Sequence, residues 1–173
     1  DSVDVLINAF AGFCNLHSDI YLILGGFCSD SQKEQIQDLI AKLEIKGRVQ
    51  IVEYLTRQEI LRYITNADVL VMVRSKDLES DASYPSKLTE FLATGKPVVT
   101  VNVGEIADHI TDNVDAFLVE PNDVKGMSDK LDLIFSNYES AVQVGLRGKK
   151  LTEGIFNYNY QAKRILEFIR NLK

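Results

Sequence analysis

Apolar positions recur along this chain at two spacings, helical and continuous, and the two take turns. Val3, Leu6, Ile7, Phe10 and Phe13 share one helical stripe, which predicts a helix over 3–13 packed by one side. Tyr21 to Gly26, YLILGG, is a continuous apolar run closed by two glycines, the pattern of a strand buried on both faces. Helical spacing returns from Ser31 to about Leu43 through Ile36, Leu39 and Ile40, and Gly47 ends it. Arg48 to Tyr54, RVQIVEY, alternates as a strand does, and Thr56 with Glu59 makes a capping box for a helix from Arg57 to Asn66.

The second half repeats the alternation. Asp68 to Arg74, DVLVMVR, reads as a strand, and the loop Ser75 to Ser83 carries Asp77, Glu79 and Asp81. Tyr84 to Val99, YPSKLTEFLATGKPVV, then holds a sharply bounded helix. Proline and serine suit its first turn, Leu88, Phe91 and Leu92 keep helical spacing, Gly95 is placed to cap it, and Pro97 blocks continuation into the strand Val98 to Val103. Gly104 leads to a helix from about Glu105 to Thr111, and Ala116 to Val119 reads as a last strand. Asp123 caps a helix bearing Met127, Leu131, Ile134 and Phe135, and a final helix occupies about Asn159 to Asn171. Strand alternating with helix implies an α/β fold, a doubly wound parallel sheet with helices on both faces. With 173 residues and no internal repeat or linker, residues 1–173 are expected to form a single domain.

Composition narrows the functions. A net charge of −6 argues against broad nucleic-acid binding, because phosphate backbones are held by clustered cations. No run approaches the roughly 18 apolar residues of a membrane span, so no membrane insertion is expected, and DSVDVLINAF lacks the basic flank of a signal peptide. The acidic balance, with no basic amphipathic helix in this reading, gives no support for membrane docking by this part, and a cytoplasmic location is expected, with any peripheral membrane contact made through other parts of the protein. Cys14 and Cys28 have no ligand spacing and read as buried free thiols. His17 reads as a solvated turn residue and His109 as a structural or exposed helix residue, so no metal is expected.

In an open parallel sheet, ligands bind beyond the carboxyl ends of the strands. Gly25-Gly26-Phe27, Tyr54-Leu55-Thr56, Arg74 to Lys87, and Asn102 to Ile106 arrive there. The helix start at Pro85 to Lys87 offers backbone donors, and Lys87 adds a full positive charge, which suits a diphosphate. Glu90, one turn on, can accept two hydroxyl hydrogen bonds as a ribose diol requires, or pair with Lys87.

The run PSKLTEFLATGKPVVTVNVGEIADHITDNVDAFLVEPND resembles the C-terminal donor-binding half of the GT-B glycosyltransferases, particularly glycosyltransferase family 4, whose segment P-x-K-x-x-E-[FY]-[ML]-A-x-G-K-P-V-V it follows. YLILGG, RVQIVEYL and TNADVLVMVRS resemble the family's earlier strands in the same order. The resemblance implies a Rossmann-like half of a GT-B fold and a hexosyltransferase-type activity, retaining and metal-independent. A nucleotide-diphosphate sugar is the implied donor, passed to a saccharide or lipid-linked acceptor. The implied partner is an N-terminal acceptor-binding domain of the same protein, so this part alone would bind and not transfer. Glu90 matches the second glutamate of the family's E-x7-E motif, which binds ribose, while Ser86 and Lys87 fall where the diphosphate is approached. Gly26, Tyr54, Leu55, Arg74 and Ser75 fall at strand ends lining the nucleotide cleft. Ala82 stands where the first glutamate of the motif would be, with Asp81 and Glu79 beside it. The family's preceding strand and its basic G-R-x-x-x-K-G segment have no counterpart here, and in doubly wound order that strand would lie between those at Tyr21 and Asp68. The resemblance leaves two other readings open: a GT-B sugar-nucleotide epimerase, and a non-catalytic nucleotide-sugar-binding or regulatory half-domain.

Overall fold

The computed structural model describes residues 2–17, 19–26, 28–83 and 85–172; Phe27 and Tyr84, each part of a predicted stretch, lie outside the described residues. The predicted strands are present and shorter than expected: β1 (Leu22–Gly25), β2 (Val49–Val52), β3 (Leu70–Met72), β4 (Val98–Val101) and β5 (Phe117–Val119). Every pairing is parallel, with Leu22 opposite Val49, Leu70 opposite Val98, and Val99 opposite Phe117. The hydrogen-bonded orders are β1-β2 and β3-β4-β5. One hydrophobic core serves both groups, running from Ile40 and Ile45 beside the first to Val98, Val99 and Ile134 beside the second. The fold is α/β, doubly wound and flanked by helices.

Local chemistry explains most helix boundaries. α1 (Val3–Cys14) buries Leu6, Ile7, Phe10 and Phe13 on its predicted stripe and packs on α7 (Val124–Ser136). α2 (Asp30–Lys42) and α3 (Arg57–Asn66) each open on a capping box, Ser29 with Gln32 and Thr56 with Glu59, which satisfies amide groups that the first turn leaves unpaired. The Asp123 carboxylate accepts from the Gly126 amide at 2.8 Å to start α7. α5 (Ser86–Ala93) buries Leu88 and Leu92 completely and ends as predicted, with Gly95 in the left-handed region at φ +74°.

Several expectations require correction. β1 is not buried on both faces: Leu22 and Leu24 turn to the core, while Ile23 is 46% and Tyr21 68% exposed. Among the described residues β1 pairs with β2 alone, so the apolar run has a neighbour on one edge. The helix after Gly104 is only α6 (Ile106–His109), because the chain turns at Thr111 and Asp115, where the Thr111 amide donates to the Asp115 carboxylate. Two helices escaped the pattern, α4 (Leu78–Asp81) inside the predicted loop and α8 (Tyr138–Glu153). α8 packs on α5 through Ala141, Val144, Gly145 and Gly148, a face too small to give a hydrophobic signal. The reason is proximity: a β-carbon at Gly148 would sit 2.2 Å from the Asp115 carbonyl oxygen, and one at Gly145 2.5 Å from that of Lys96. α9 (Tyr158–Asn171) follows, close to its predicted span.

Candidate functional site

The sequence-predicted residues gather at the carboxyl ends of the strands in two groups. Gly26 follows β1, and its amide donates to the Val52 carbonyl at the end of β2. A β-carbon there would meet nothing within 4 Å, so the backbone is open to an incoming group. Tyr54 and Leu55 follow β2. Tyr54 holds φ at +54° and is 80% exposed, a strained conformation for a bulky side chain. Leu55 is half-buried and lies over Gly25.

The second group follows β3. Arg74 is half-buried, and its guanidinium donates to the Ser83 hydroxyl at 3.3–3.4 Å, while that hydroxyl donates to the Glu79 carbonyl at 2.7 Å. Arg74 therefore braces the turn that delivers α5. Asp77 caps α4 by accepting from the Ser80 amide at 2.8 Å. The backbone and hydroxyl of Ser80 lower the Asp77 pKa, with Ser75 and Arg74 adding to the effect. Ser75 thus serves the cap. At the head of α5, Ser86, Lys87 and Glu90 are all exposed. The Lys87–Glu90 pairing weighed from the sequence does not form, and among the described residues neither side chain has an ion-pair or hydrogen-bond partner. A cation and a carboxylate one turn apart at a helix start can serve a diphosphate and a diol separately.

Sequence reasoning missed two features of this edge. Lys33 of α2 and Glu53 at the end of β2 form an ion pair, with the Cys28 thiol 4.0 Å from the Glu53 carboxylate. The hydrogen bond to Glu53 raises the Lys33 pKa against the opposing effect of burial. This ties α2 to the strand ends; the charged residues at 33 and 53 carried no spacing signal because the contact spans twenty positions. The second is a recess of about 500 Å³ lined by Lys76, Asp81, Asn102, Gly104, Glu105 and Glu120. Gly104 lets the backbone of α4 approach closely: a β-carbon at Gly104 would meet the Ser80 carbonyl oxygen at 2.5 Å, and φ is +57°. Asn102 donates to Glu120 at 3.1 Å, fixing one wall.

The histidines lie elsewhere. His17 is not a freely solvated turn residue: it is 3.0 Å from the Asp132 carboxylate and packs against Phe13, the rings tilted with centroids 4.6 Å apart. His109 meets Phe156 edge-on. Cys14 and Cys28 are free thiols, Cys14 buried as expected and Cys28 only half-buried, at the exposed strand ends beside Glu53. Among the described residues no helix is long and apolar enough to cross a membrane, and no three His, Cys, Asp or Glu side chains are grouped to hold a metal ion.

Comparison with solved structures returns this fold repeatedly. A glycosyltransferase from Rickettsia africae superimposes with a TM-score of 0.79 at 22% identity, over 96% of this chain and 43% of that one. The Anabaena protein Alr3699/HepE, in complex with UDP and glucose, gives 0.78 at 16% identity, over 95% of this chain and 44% of that one. The C-terminal domain of a glycosyl transferase group 1 family protein, LpcC from Francisella tularensis, gives 0.78 at 17% identity, over 87% and 77%. The chain thus spans about two fifths of the length of the Anabaena protein it resembles. No match was found among curated proteins. The sequence profile of the glycosyl transferases group 1 matches residues 2–151, and the chain belongs to that family.

Proposed function

We propose that these residues are the donor-binding half of a retaining glycosyltransferase resembling family 4, which takes a nucleotide-diphosphate sugar at the carboxyl edge of its strands. The observation that carries this reading is the head of α5, where exposed Lys87 and Glu90, without a partner among the described residues, stand one turn apart beside the braced Arg74 turn. Lys87 and the first amides of α5 would hold the diphosphate, and their positive charge would stabilise the negative charge that grows on it as the glycosyl bond breaks. Glu90 would accept the two ribose hydroxyls. Gly26, Tyr54 and Leu55 would border the base, and Ser86 the phosphates.

The proposed enzyme extends beyond these residues. A further strand between β1 and β3 would join the two hydrogen-bonded groups into one sheet, and an acceptor-binding domain of the same protein would close over the carboxyl edge. Both proposals agree with the partial coverage of the longer glycosyltransferases and with the match to an isolated C-terminal domain. Ala82 favours a second reading, a half-domain that binds the nucleotide sugar without turning it over. Asp81 lines the recess beside it and could supply a carboxylate to the sugar.

Calorimetric titration with UDP, GDP and their sugars tests the site. Glu90→Ala and Lys87→Ala should each weaken binding about tenfold or more, the loss of a charge-assisted hydrogen bond. Unchanged affinity in both variants would remove it. Transfer assays on the full-length protein then separate the two readings, since a binding half-domain would retain affinity and produce no glycoside.

A further inference from the structure

Just beyond β3 the chain places a guanidinium whose charge has no counterpart. Arg74 is half-buried, and among the described residues it forms no ion pair. Its hydrogen-bond partner among them is the Ser83 hydroxyl, which the two terminal nitrogens approach at 3.4 and 3.3 Å. Both contacts are longer than an ordinary N–H···O bond of about 2.9–3.0 Å. The hydroxyl donates its own proton to the Glu79 carbonyl at 2.7 Å, so it is a fixed acceptor and a neutral one. Other charged groups of this edge are engaged elsewhere. Lys33 pairs with Glu53, and Lys76 lines the recess with Asp81, Glu105 and Glu120. The Asp77 carboxylate accepts from the Ser80 amide at 2.8 Å and feels Arg74 only as a more distant charge.

We infer that Arg74 is a second cation of the donor site and grips the terminal phosphate of a nucleoside diphosphate, an inference that rests on the placing of that nucleotide at the head of α5. With ribose at Glu90 and phosphate at Lys87, the nucleotide runs toward the N-terminus of α5, by about 1.5 Å of helix axis per residue. Its terminal phosphate then falls beyond Ser86, on the side where Ser83 holds Arg74. Against a multiply charged diphosphate, Lys87 and the helix start supply only about +1.5. Arg74 adds a full charge in a planar fork that meets two phosphate oxygens at once, which an ammonium group does not. The contacts to Ser83 occupy one hydrogen on each terminal nitrogen and leave the remaining donors for the phosphate. Because Ser83 holds the side chain in place before the nucleotide arrives, less ordering is needed on binding.

Calorimetry of the intact protein with UDP against UMP, and with GDP against GMP, tests it. Arg74→Gln keeps a donor for Ser83 and drops the charge, so the turn stays braced while the grip is lost. It should weaken the diphosphate about tenfold or more and leave the monophosphate within about twofold, at an unchanged melting temperature. Arg74→Lys keeps the charge without the fork and should recover part of that loss. Ser83→Ala removes the brace and keeps the cation, and should weaken the diphosphate less than about threefold. Equal diphosphate affinity in Arg74→Gln and wild type overturns the inference, and so does an equal loss for monophosphate and diphosphate. A loss in Ser83→Ala as large as in Arg74→Gln overturns it too, since Arg74 would then act through the turn alone. If Lys87→Ala and Glu90→Ala weaken the diphosphate while Arg74→Gln does not, this inference fails and the donor site stands. If the wild type binds neither UDP nor GDP, both fall.

Discussion

β1 and β4 are both near-continuous apolar segments, and the fold treats them differently. Val98, Val99, Thr100 and Val101 of β4 are all buried, with β3 on one edge and β5 on the other. β1 alternates between half-buried and exposed positions, with β2 on one edge only. An apolar run thus measures what a strand is able to bury, and its neighbours decide what it does bury. The same contrast separates the site. Gly26 and Tyr54 sit on the open pair, where Tyr54 holds its strained backbone, while Arg74 and the head of α5 sit on the closed group, braced from behind by α8.

The contrast predicts unequal costs for similar deletions. Leu92 is fully buried between α5 and its neighbours, so Leu92→Ala should destabilise the protein by about 2–5 kcal/mol, measured by urea denaturation. Ile23→Ala on the exposed face of β1 should cost less than about 1 kcal/mol by the same measurement. Equal costs would mean that the face of β1 is covered and would break the comparison. Gly148→Ala comes next: its β-carbon would meet the Asp115 carbonyl oxygen at 2.2 Å, and forcing α8 outward should cost about 1–3 kcal/mol. Little change there would show that α8 is loosely seated. Thr100→Val should act in the opposite sense. Its hydroxyl is buried in the middle of β4 and has no hydrogen-bond partner among the described residues, so an isosteric apolar side chain should add about 1 kcal/mol of stability.

Much of this was legible in the sequence because it is local. The Thr56 capping box, the Gly95 stop and the strand cores each depend on residues a few positions apart, and they stand where the pattern put them. The head of α5 was legible for the same reason, since Pro85, Lys87 and Glu90 lie within one and a half turns. Contacts between distant segments were not. Nothing in the sequence near Arg74 indicates that its partner is Ser83, or near Glu53 that Lys33 reaches it. α8 was invisible because a helix that approaches backbone closely uses glycine where a packed helix elsewhere uses leucine.

The smallest effect compares the two halves through their carboxylate caps. Glu59 caps α3 beyond the open pair, and Asp77 caps α4 beyond the closed group. The Thr56 hydroxyl and amide lower the Glu59 pKa, as the Ser80 amide and hydroxyl lower that of Asp77. A carboxyl group with a lowered folded pKa binds its proton less tightly folded than unfolded. Its contribution is therefore complete above the unfolded value and disappears as pH falls through the folded one. Urea midpoints of wild type and of Asp77→Ala should differ at neutral pH and converge as pH falls through the lowered folded pKa, below which both states of the wild-type side chain are protonated. Glu59→Ala should converge with wild type over the same acid range. If α4 frays independently of the closed group, Asp77→Ala will leave the global midpoint unchanged at every pH while Glu59→Ala still shifts it. The brace that presents α5 would then be a local unit, able to open while the sheet behind it stays folded.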